Sequence, residues 1–145
     1  MSEAAEIQNP DDATIKSLLE SMKTVAVVGF SANPNRPSHG ISRFLDGLGL
    51  RVIGVNPGLA GQNILGLEIV ASLNDIDVHI DVVDVFRRSD AVPEIITASI
   101  TAGAKSIWMQ EGVVHEEAAA EARAAGLEVV QDLCIYKEWL RLINA

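Results

Sequence analysis

The segment with the clearest chemical potential covers residues 29–38, a run rich in small polar side chains with the sequence GFSANPNRPS. Gly29 permits a tight turn, and Arg36 offers a fork of donors suited to phosphate oxygens. Ser38 stands where a helix is predicted to begin, so we expect it to cap that helix, whose first N–H groups attract anions. The segment therefore predicts a phosphate cradle. Its candidate residues are Gly29, Phe30, Ser31, Asn33, Arg36, Pro37 and Ser38.

Charge placement favours the cradle over an ordinary polar connection that ends in a capped helix. The chain carries a formal net charge of −9, yet residues 24–64 hold Arg36, Arg43 and Arg51 against the single acid Asp46. A local excess of positive charge in an acidic chain is typical of a site for an anionic ligand.

Two well-known phosphate motifs are missing from this segment. It has no Gly-Lys-Ser/Thr of a P-loop and lacks the later glycines of the dinucleotide fingerprint. The second predicted strand runs into Val55, Asn56 and Pro57, with no Asp or Glu to grip the ribose diol of NAD. A neutral asparagine tolerates a phosphorylated ribose such as that of coenzyme A, so we predict that these three residues bind the cofactor.

Further candidate ligand residues follow the third and fourth predicted strands. Phe86 and Arg87, with Arg88 beside them, suit a phosphorylated nucleotide or a pantetheine arm. An equally weighted interpretation makes Phe86 a core residue and leaves the arginines in solvent or paired with nearby acids. Gln110 and Gly112 offer an amide and bare backbone to the same ligand.

Residues with catalytic potential are few. Cys134 is predicted to be a small buried apolar residue after the last strand, where Asp132 is expected to cap the final helix. A thiol at a helix N-terminus would be more reactive, so a Cys134 reaction with the ligand remains an alternative. The acids of residues 77–84, with His79, are interpreted as salt-bridge partners rather than metal ligands. We predict neither a catalytic residue nor a metal site.

Short apolar runs alternate with amphipathic stretches along the chain. The runs at residues 24–29, 51–56, 79–86, 105–109 and 127–130 predict five strands. Helices are predicted at residues 11–22, 38–48, 91–102, 116–125 and 135–143, while residues 67–73 fit either an edge strand or a helical turn. The fold class is therefore α/β, a doubly wound parallel sheet with helices on both faces. The candidate residues follow strand ends, where such sheets bind ligands.

Composition limits the class of protein. The 145 residues, 48% of them hydrophobic, fit one domain over residues 1–145, with a flexible N-terminus at residues 1–10. The acidic charge disfavours nucleic acid and anionic membranes as partners. A single cysteine and a polar, acidic N-terminus favour a cytoplasmic location.

The segments that follow the predicted strands, taken in sequence order, resemble those of the small bacterial and archaeal CoA-binding proteins. These proteins are Rossmann-like domains similar to the CoA-binding domain of the succinyl-CoA synthetase α subunit. The resemblance implies that coenzyme A binds to residues 29–38, to Asn56-Pro57 and to the loop after Phe86. His39-Gly40 departs from the bulky or apolar pair that this family usually has there. The matching segments are VVGFS at residues 27–31, RPS at 36–38, VNP at 55–57, DVFR at 84–87, WMQEG at 108–112 and VVQDLC at 129–134.

The function that these observations favour is non-catalytic binding of coenzyme A or an acyl-CoA. One alternative is a redox sensor or small oxidoreductase that binds NAD(P), which rests on the sheet topology alone. Another is an acyl-CoA enzyme that uses Cys134. A homodimer or an enzyme partner is compatible with each of these functions.

Overall fold

Residues 7–144, the part of the chain that this computed structural model describes, form six short strands and five α-helices, which alternate except that the second, third and fourth strands follow one another without an α-helix. The strands form one sheet in the order β3-β2-β1-β4-β5-β6, and every neighbouring pair is parallel. The strands are β1 (Thr24–Val28), β2 (Arg51–Val55), β3 (Glu68–Val70), β4 (Val82–Val85), β5 (Ser106–Met109) and β6 (Glu128–Val130). The helices are α1 (Asp12–Ser21), α2 (Pro37–Gly47), α3 (Val92–Ala102), α4 (Glu116–Ala124) and α5 (Ile135–Leu142).

The predicted doubly wound, Rossmann-like architecture is confirmed, with six strands in place of five. The additional strand is β3, which settles the ambiguous stretch at residues 67–73 as an edge strand. It has only three residues, too few to establish a periodic pattern in the sequence. The predicted strand at 79–86 was too long, because β4 begins only at Val82.

The start of β4 is set by the acid that precedes it. Asp81 Oδ2 accepts hydrogen bonds from the backbone N–H groups of Lys23 at 2.8 Å and Thr24 at 2.9 Å, at the start of β1. Its other oxygen lies 3.4 Å from His79 Nε2. The interpretation of this segment as salt-bridge partners therefore holds for His79 and Asp81.

Both faces of the sheet are covered by apolar side chains. Alternate residues of β1 point to opposite faces, so that Ala26 and Val28 join a cluster that includes α3 and α4. Val25 and Val27 join a second cluster that includes α1, α2 and α5. All five residues of β1 are buried, as expected for the central strand of a sheet covered on both sides.

A missing side chain in β2 allows an aromatic ring to pack against the sheet. A Cβ atom at Gly54 would lie 2.7 Å from Ile69 Cδ1 and 3.0 Å from Phe30 Cγ. Phe30 is completely buried there. Since Phe30 belongs to the loop after β1, its packing over Gly54 helps to fix that loop to the sheet.

The N-terminal segment pairs with the outer edge of the sheet. Asn9 Nδ2 donates to the Gln131 carbonyl oxygen at 2.9 Å, and the Gln131 N–H donates to Asn9 Oδ1 at 2.7 Å. Arg123 Nη2 also donates to the Gln8 carbonyl at 2.8 Å. Of the predicted flexible N-terminus at residues 1–10, residues 1–6 lie outside the described part. Between residues 7 and 144, every helix falls short of the length and apolarity needed to cross a bilayer.

We expect Gly54→Ala to lower the free energy of unfolding by about 1–3 kcal/mol, because the new methyl group would displace Phe30 and Ile69. Urea denaturation measures this change. Gly40→Ala is a matched control, since Gly40 lies inside α2 with nothing within 4 Å of the added Cβ. We expect the control to raise stability by about 0.5–1 kcal/mol. Equal effects at the two positions would contradict the packing argument.

Candidate functional site

A cavity of about 630 Å³ opens at the carboxyl edge of the sheet, above the ends of β1 and β4. These two strands are neighbours, but the chain proceeds from β1 toward β2 and β3 and returns to β4 on the other side. Loops that follow β1 and β4 therefore diverge and leave a crevice. The lining residues are Gly29, Phe30, Ser31, Arg36, Pro37, Ser38, Ile41, Asn56, Phe86, Arg87, Arg88, Gln110, Glu111, Val113 and Cys134.

Most of the residues predicted from sequence meet at this cavity, although four do not. Those that line it are Gly29, Phe30, Ser31, Arg36, Pro37, Ser38, Asn56, Phe86, Arg87 and Gln110. Those that lie elsewhere are Asn33, Val55, Pro57 and Gly112.

The four residues outside the cavity have other surroundings. Asn33 Oδ1 accepts from the Asn35 N–H at 2.9 Å within the loop itself. The Val55 side chain is buried in the core, and Pro57 is exposed in the next turn. The Gly112 N–H donates to Asp132 Oδ1 at 2.7 Å. These groups shape the loops around the cavity.

The turn after β1 needs glycine for two independent reasons. Gly29 has a φ of +89°, a region that residues with a side chain rarely adopt. A Cβ atom at this position would also lie 2.8 Å from the Phe86 carbonyl oxygen and 3.1 Å from its carbon. The end of β1 thus lies directly against the backbone that follows β4.

The N-terminus of α2 faces the cavity without a side-chain cap. Arg36 is the N-cap residue and Pro37 occupies the first turn, where its missing N–H leaves nothing unsatisfied. The prediction that Ser38 caps the helix was wrong, because the helix begins one residue earlier and Ser38 is buried inside its first turn. No side chain accepts from the first turn, but Pro37 has no N–H and the His39 N–H donates to the Arg36 carbonyl at 3.0 Å. The Ser38 N–H is therefore the group of this turn that remains available to an anion.

Two arginines at the cavity have no acidic partner. Within residues 7–144, neither Arg36 nor Arg87 forms an ion pair, whereas Arg88 lies 3.2 Å from Asp90. The other two arginines of the predicted positive cluster lie elsewhere: Arg51 begins β2 and pairs with Glu68, and Arg43 lies outside the cavity on α2. The positive charge at the cavity therefore comes from two different loops.

Side-chain hydrogen bonds hold adjacent loops together around the cavity. Asn56 Nδ2 donates to the Phe30 carbonyl at 2.8 Å, and Asn56 Oδ1 accepts from the Gly58 N–H at 2.8 Å. Ser89 Oγ accepts from the Val114 N–H at 3.0 Å. These bonds connect the loops after β2 and β4 to those after β1 and β5.

The loops after β5 and β6 meet at Asp132. Its carboxylate accepts from Gly112 instead of capping α5, so the predicted helix cap was wrong. The N-cap of α5 is Cys134, which is buried as predicted and lines the cavity. Trp108 is fully buried, and its Nε1 donates to the Leu133 carbonyl at 2.7 Å.

A family model described as a CoA binding domain matches residues 23–139 of the chain. The chain belongs to the CoA-binding domain family. The family resemblance inferred from the sequence is therefore confirmed, and the matched range contains every residue that lines the cavity.

Similar proteins cover nearly the whole CoA-binding domain. The uncharacterized protein YneT of Bacillus subtilis (strain 168) is 41% identical over 129 residues, which are 89% of this chain and 94% of that protein. A solved structure of a hypothetical protein from Pyrococcus horikoshii OT3 has a TM-score of 0.89, 33% identity and 99% coverage of both chains. The structure of cell-free ID.343 from Thermus thermophilus has a TM-score of 0.88 and 35% identity, with 92% of this chain and 100% of that one covered.

Sequence reasoning omitted several residues that line the cavity. Ile41 lies one helical turn after Ser38 in α2, a spacing that places both on one face. Glu111 and Val113 follow β5 closely, so position after a strand end was the available signal. Arg88, which the sequence indicated beside Arg87, also lines the cavity.

Beneath the cavity of this CoA-binding domain, an unpaired acid is buried in the sheet. Asp84 of β4 has no solvent exposure, and its Oδ1 accepts from Gln110 Nε2 at 2.6 Å. Its Oδ2 is buried without a hydrogen-bond partner. Burial raises the pKa of the Asp84 carboxyl group from 3.8 to about 8, and the bond from Gln110 opposes this increase. The expectation that Asp84 takes part in salt bridges or solvation at a strand end was wrong.

Gly29→Ala tests the contact between the ends of β1 and β4. We expect it to destabilise the protein by at least about 1 kcal/mol more than Gly112→Ala, measured by urea denaturation. Gly112 is the control because its φ of +84° is similar and nothing lies within 4 Å of an added Cβ. The two variants share the backbone strain, so the difference reports the contacts of the added Cβ with the Phe86 backbone and with Arg87 Cδ, 3.2 Å away. The same loss of stability in both would exclude a steric role for Gly29.

Asp84→Asn tests the protonation of the buried acid. Because the folded protein keeps its proton up to about pH 8 while the unfolded chain loses it near pH 4, wild-type stability should fall as pH rises between these values. It should then level off above about pH 8. Relative to wild type, Asp84→Asn should gain up to about 1 kcal/mol per pH unit across this window. Urea denaturation curves over the range measure the difference, and parallel pH profiles would show that Asp84 is ionised throughout.

Proposed function

We propose that this CoA-binding domain, extending over the described chain, binds coenzyme A or an acyl-CoA in the cavity without transforming it. The observation that carries the proposal is the uncapped N-terminus of α2, which opens into the cavity beside the unpaired Arg36. The Ser38 N–H at the positive end of the helix and a guanidinium group together provide donors for a diphosphate. Membership of the CoA-binding domain family supports this choice of ligand.

The arginine after β4 fits the second phosphorylated part of coenzyme A. Arg87 comes from the loop after β4, lines the same cavity as Arg36 and has no acidic partner within residues 7–144. Asn56 adds no negative charge to the loop after β2, where a carboxylate would favour the unphosphorylated ribose of NAD. A ligand with a 3′-phosphate therefore suits this cavity better than NAD does.

The ionisable groups of the cavity support a binding function over a catalytic one. Glu111 is the one carboxylate among the described lining residues, and it lies 3.0 Å from Lys137 Nζ, so its charge is already paired. Cys134 is a buried helix cap. Neither provides a general base within reach of a second reactive group.

Isothermal titration calorimetry with coenzyme A, dephospho-CoA and NAD tests this proposal. Wild type should bind coenzyme A more tightly than dephospho-CoA or NAD. Arg36→Ala should weaken coenzyme A binding by about 1–3 kcal/mol, since it removes charge-assisted bonds to phosphate.

Arg43→Ala is the matched control, because Arg43 is an exposed arginine on the same helix that does not line the cavity. It should leave the affinity within about twofold of wild type, which shows the effect of net charge alone. Folded wild-type protein that fails to bind coenzyme A at high micromolar concentration would refute the proposal. So would equal losses of affinity in the two variants.

A further inference from the structure

One polar side chain lies at the boundary between the cavity and the core of the sheet. Gln110 follows β5, is 6% exposed and lines the cavity. Its Nε2 donates to Asp84 Oδ1 at 2.6 Å. Its Oε1 accepts no hydrogen bond from residues 7–144, so one end of the amide pairs with the buried acid and the other end is available.

Among the described residues, the side chain of the buried acid has one hydrogen-bond partner, Gln110. In the sheet, Asp84 lies beside Val27 of β1 and Trp108 of β5, neither of which titrates. Within residues 7–144 it forms no ion pair, and Oδ2 has no hydrogen-bond partner. The amide of Gln110 is therefore the group that responds when Asp84 gains or loses its proton.

The helices over this face of the sheet add few titratable groups. The side chains of α1 in this cluster are apolar, namely Ile15, Leu18 and Leu19. On α2, His39 is engaged through its Nδ1, 3.0 Å from the Ser31 carbonyl. On α5, Glu138 accepts from Arg141 Nη2 at 2.6 Å.

Also on α5, Lys137 pairs with Glu111 at 3.0 Å and Tyr136 packs edge-on against Phe44 of α2. The other titratable group is the thiol of Cys134, the N-cap residue. Because Cys134 also lines the cavity, any test of Asp84 needs a background without this thiol.

An amide presents a donor at one end and an acceptor at the other, in nearly the same shape. A carboxylate only accepts, so it pairs with Nε2 and leaves Oε1 for the cavity. A carboxylic acid keeps an acceptor oxygen but gains one O–H donor. When this O–H donates to Oε1, the N–H donors of the amide are left for the cavity. A half-turn about the Cγ–Cδ bond of Gln110 exchanges the two arrangements, and a separation of 2.6 Å also suits an O–H donor.

We propose that Asp84 is a positioning residue that decides, through its proton, whether Gln110 presents a hydrogen-bond donor or an acceptor to the ligand. This inference rests on the proposed function. At neutral pH the protonated acid holds Oε1, and the amide N–H of Gln110 donates to a carbonyl oxygen of the bound acyl-CoA. At higher pH the carboxylate takes Nε2, and Oε1 then opposes the ligand carbonyl.

A ligand-free experiment tests the pairing itself. The side-chain NH₂ resonances of Gln110, assigned by their loss in Gln110→Leu, are followed by NMR from about pH 7 to about pH 9.5. All proteins carry Cys134→Ser, because thiols ordinarily titrate at about pH 8.5. The resonances should shift with a midpoint near pH 8 when residue 84 is Asp and stay constant in Asp84→Asn. A resonance that does not titrate, or that titrates alike in both, overturns the pairing.

Calorimetry with acetyl-CoA, in the same Cys134→Ser background, tests the effect on the ligand. The affinity should fall about tenfold from about pH 7 to about pH 9.5 when Asp84 is present, and should be constant in Asp84→Asn. S-ethyl-CoA, which lacks the thioester carbonyl, identifies the group involved. Loss of the pH dependence with this analogue assigns the contact to the thioester, and retention assigns it to an amide carbonyl of the pantetheine arm.

The experiments distinguish failure of the Asp84 proposal from failure of the proposed function. The same pH dependence of acetyl-CoA affinity in both proteins overturns the role of Asp84 while leaving coenzyme A binding intact. No binding of any CoA form at any pH overturns the proposed function, whatever the Gln110 resonances do.

Discussion

The close approach between the end of β1 and the backbone after β4 is the constraint on which the site depends. Gly29 reaches this position because it has no Cβ, which would otherwise lie 2.8 Å from the Phe86 carbonyl oxygen. With the two strand ends in contact, the loops that follow them must turn away from each other. The crevice between those loops brings the N-terminus of α2 and the arginine after β4 to opposite sides of one cavity.

Most of the short polar side chains near the cavity stabilise loops, which leaves other groups available to a ligand. Asn56, Ser89 and Asp132 each bond to the backbone of a neighbouring loop. Such bonds restrict the loops before any ligand arrives, so less conformational entropy is lost on binding. Within residues 7–144, the groups without protein partners include the Ser38 N–H at the start of α2 and the guanidinium groups of Arg36 and Arg87. This division between supporting and available groups is what makes the cavity suitable for a phosphorylated molecule.

The sequence predicted the architecture and most of the lining because both follow from local patterns. Apolar runs that end at Gly29 and Asn56 predicted where the loops begin. Parallel strands bring such loops to one edge of the sheet. Helix starts were less predictable: Pro37 at the start of α2 moved Ser38 into the first turn. Two features could not be predicted from spacing along the chain. Arg43 and Arg51 lie apart from Arg36 because of how α2 and β2 are oriented. Asp84 is buried because β4 is paired on both sides. Residue roles in binding stay predictions.

The pairing of Asn9 with Gln131 has a consequence for contacts between molecules. The strand β6 lies at the edge of the sheet, and an uncovered edge presents backbone donors and acceptors to any other extended chain. At the carboxyl end of β6, the amide of Asn9 occupies both the N–H and the carbonyl of Gln131, as a neighbouring strand would. The segment before α1 therefore occupies the backbone groups of Gln131 that another extended chain would otherwise meet at this edge.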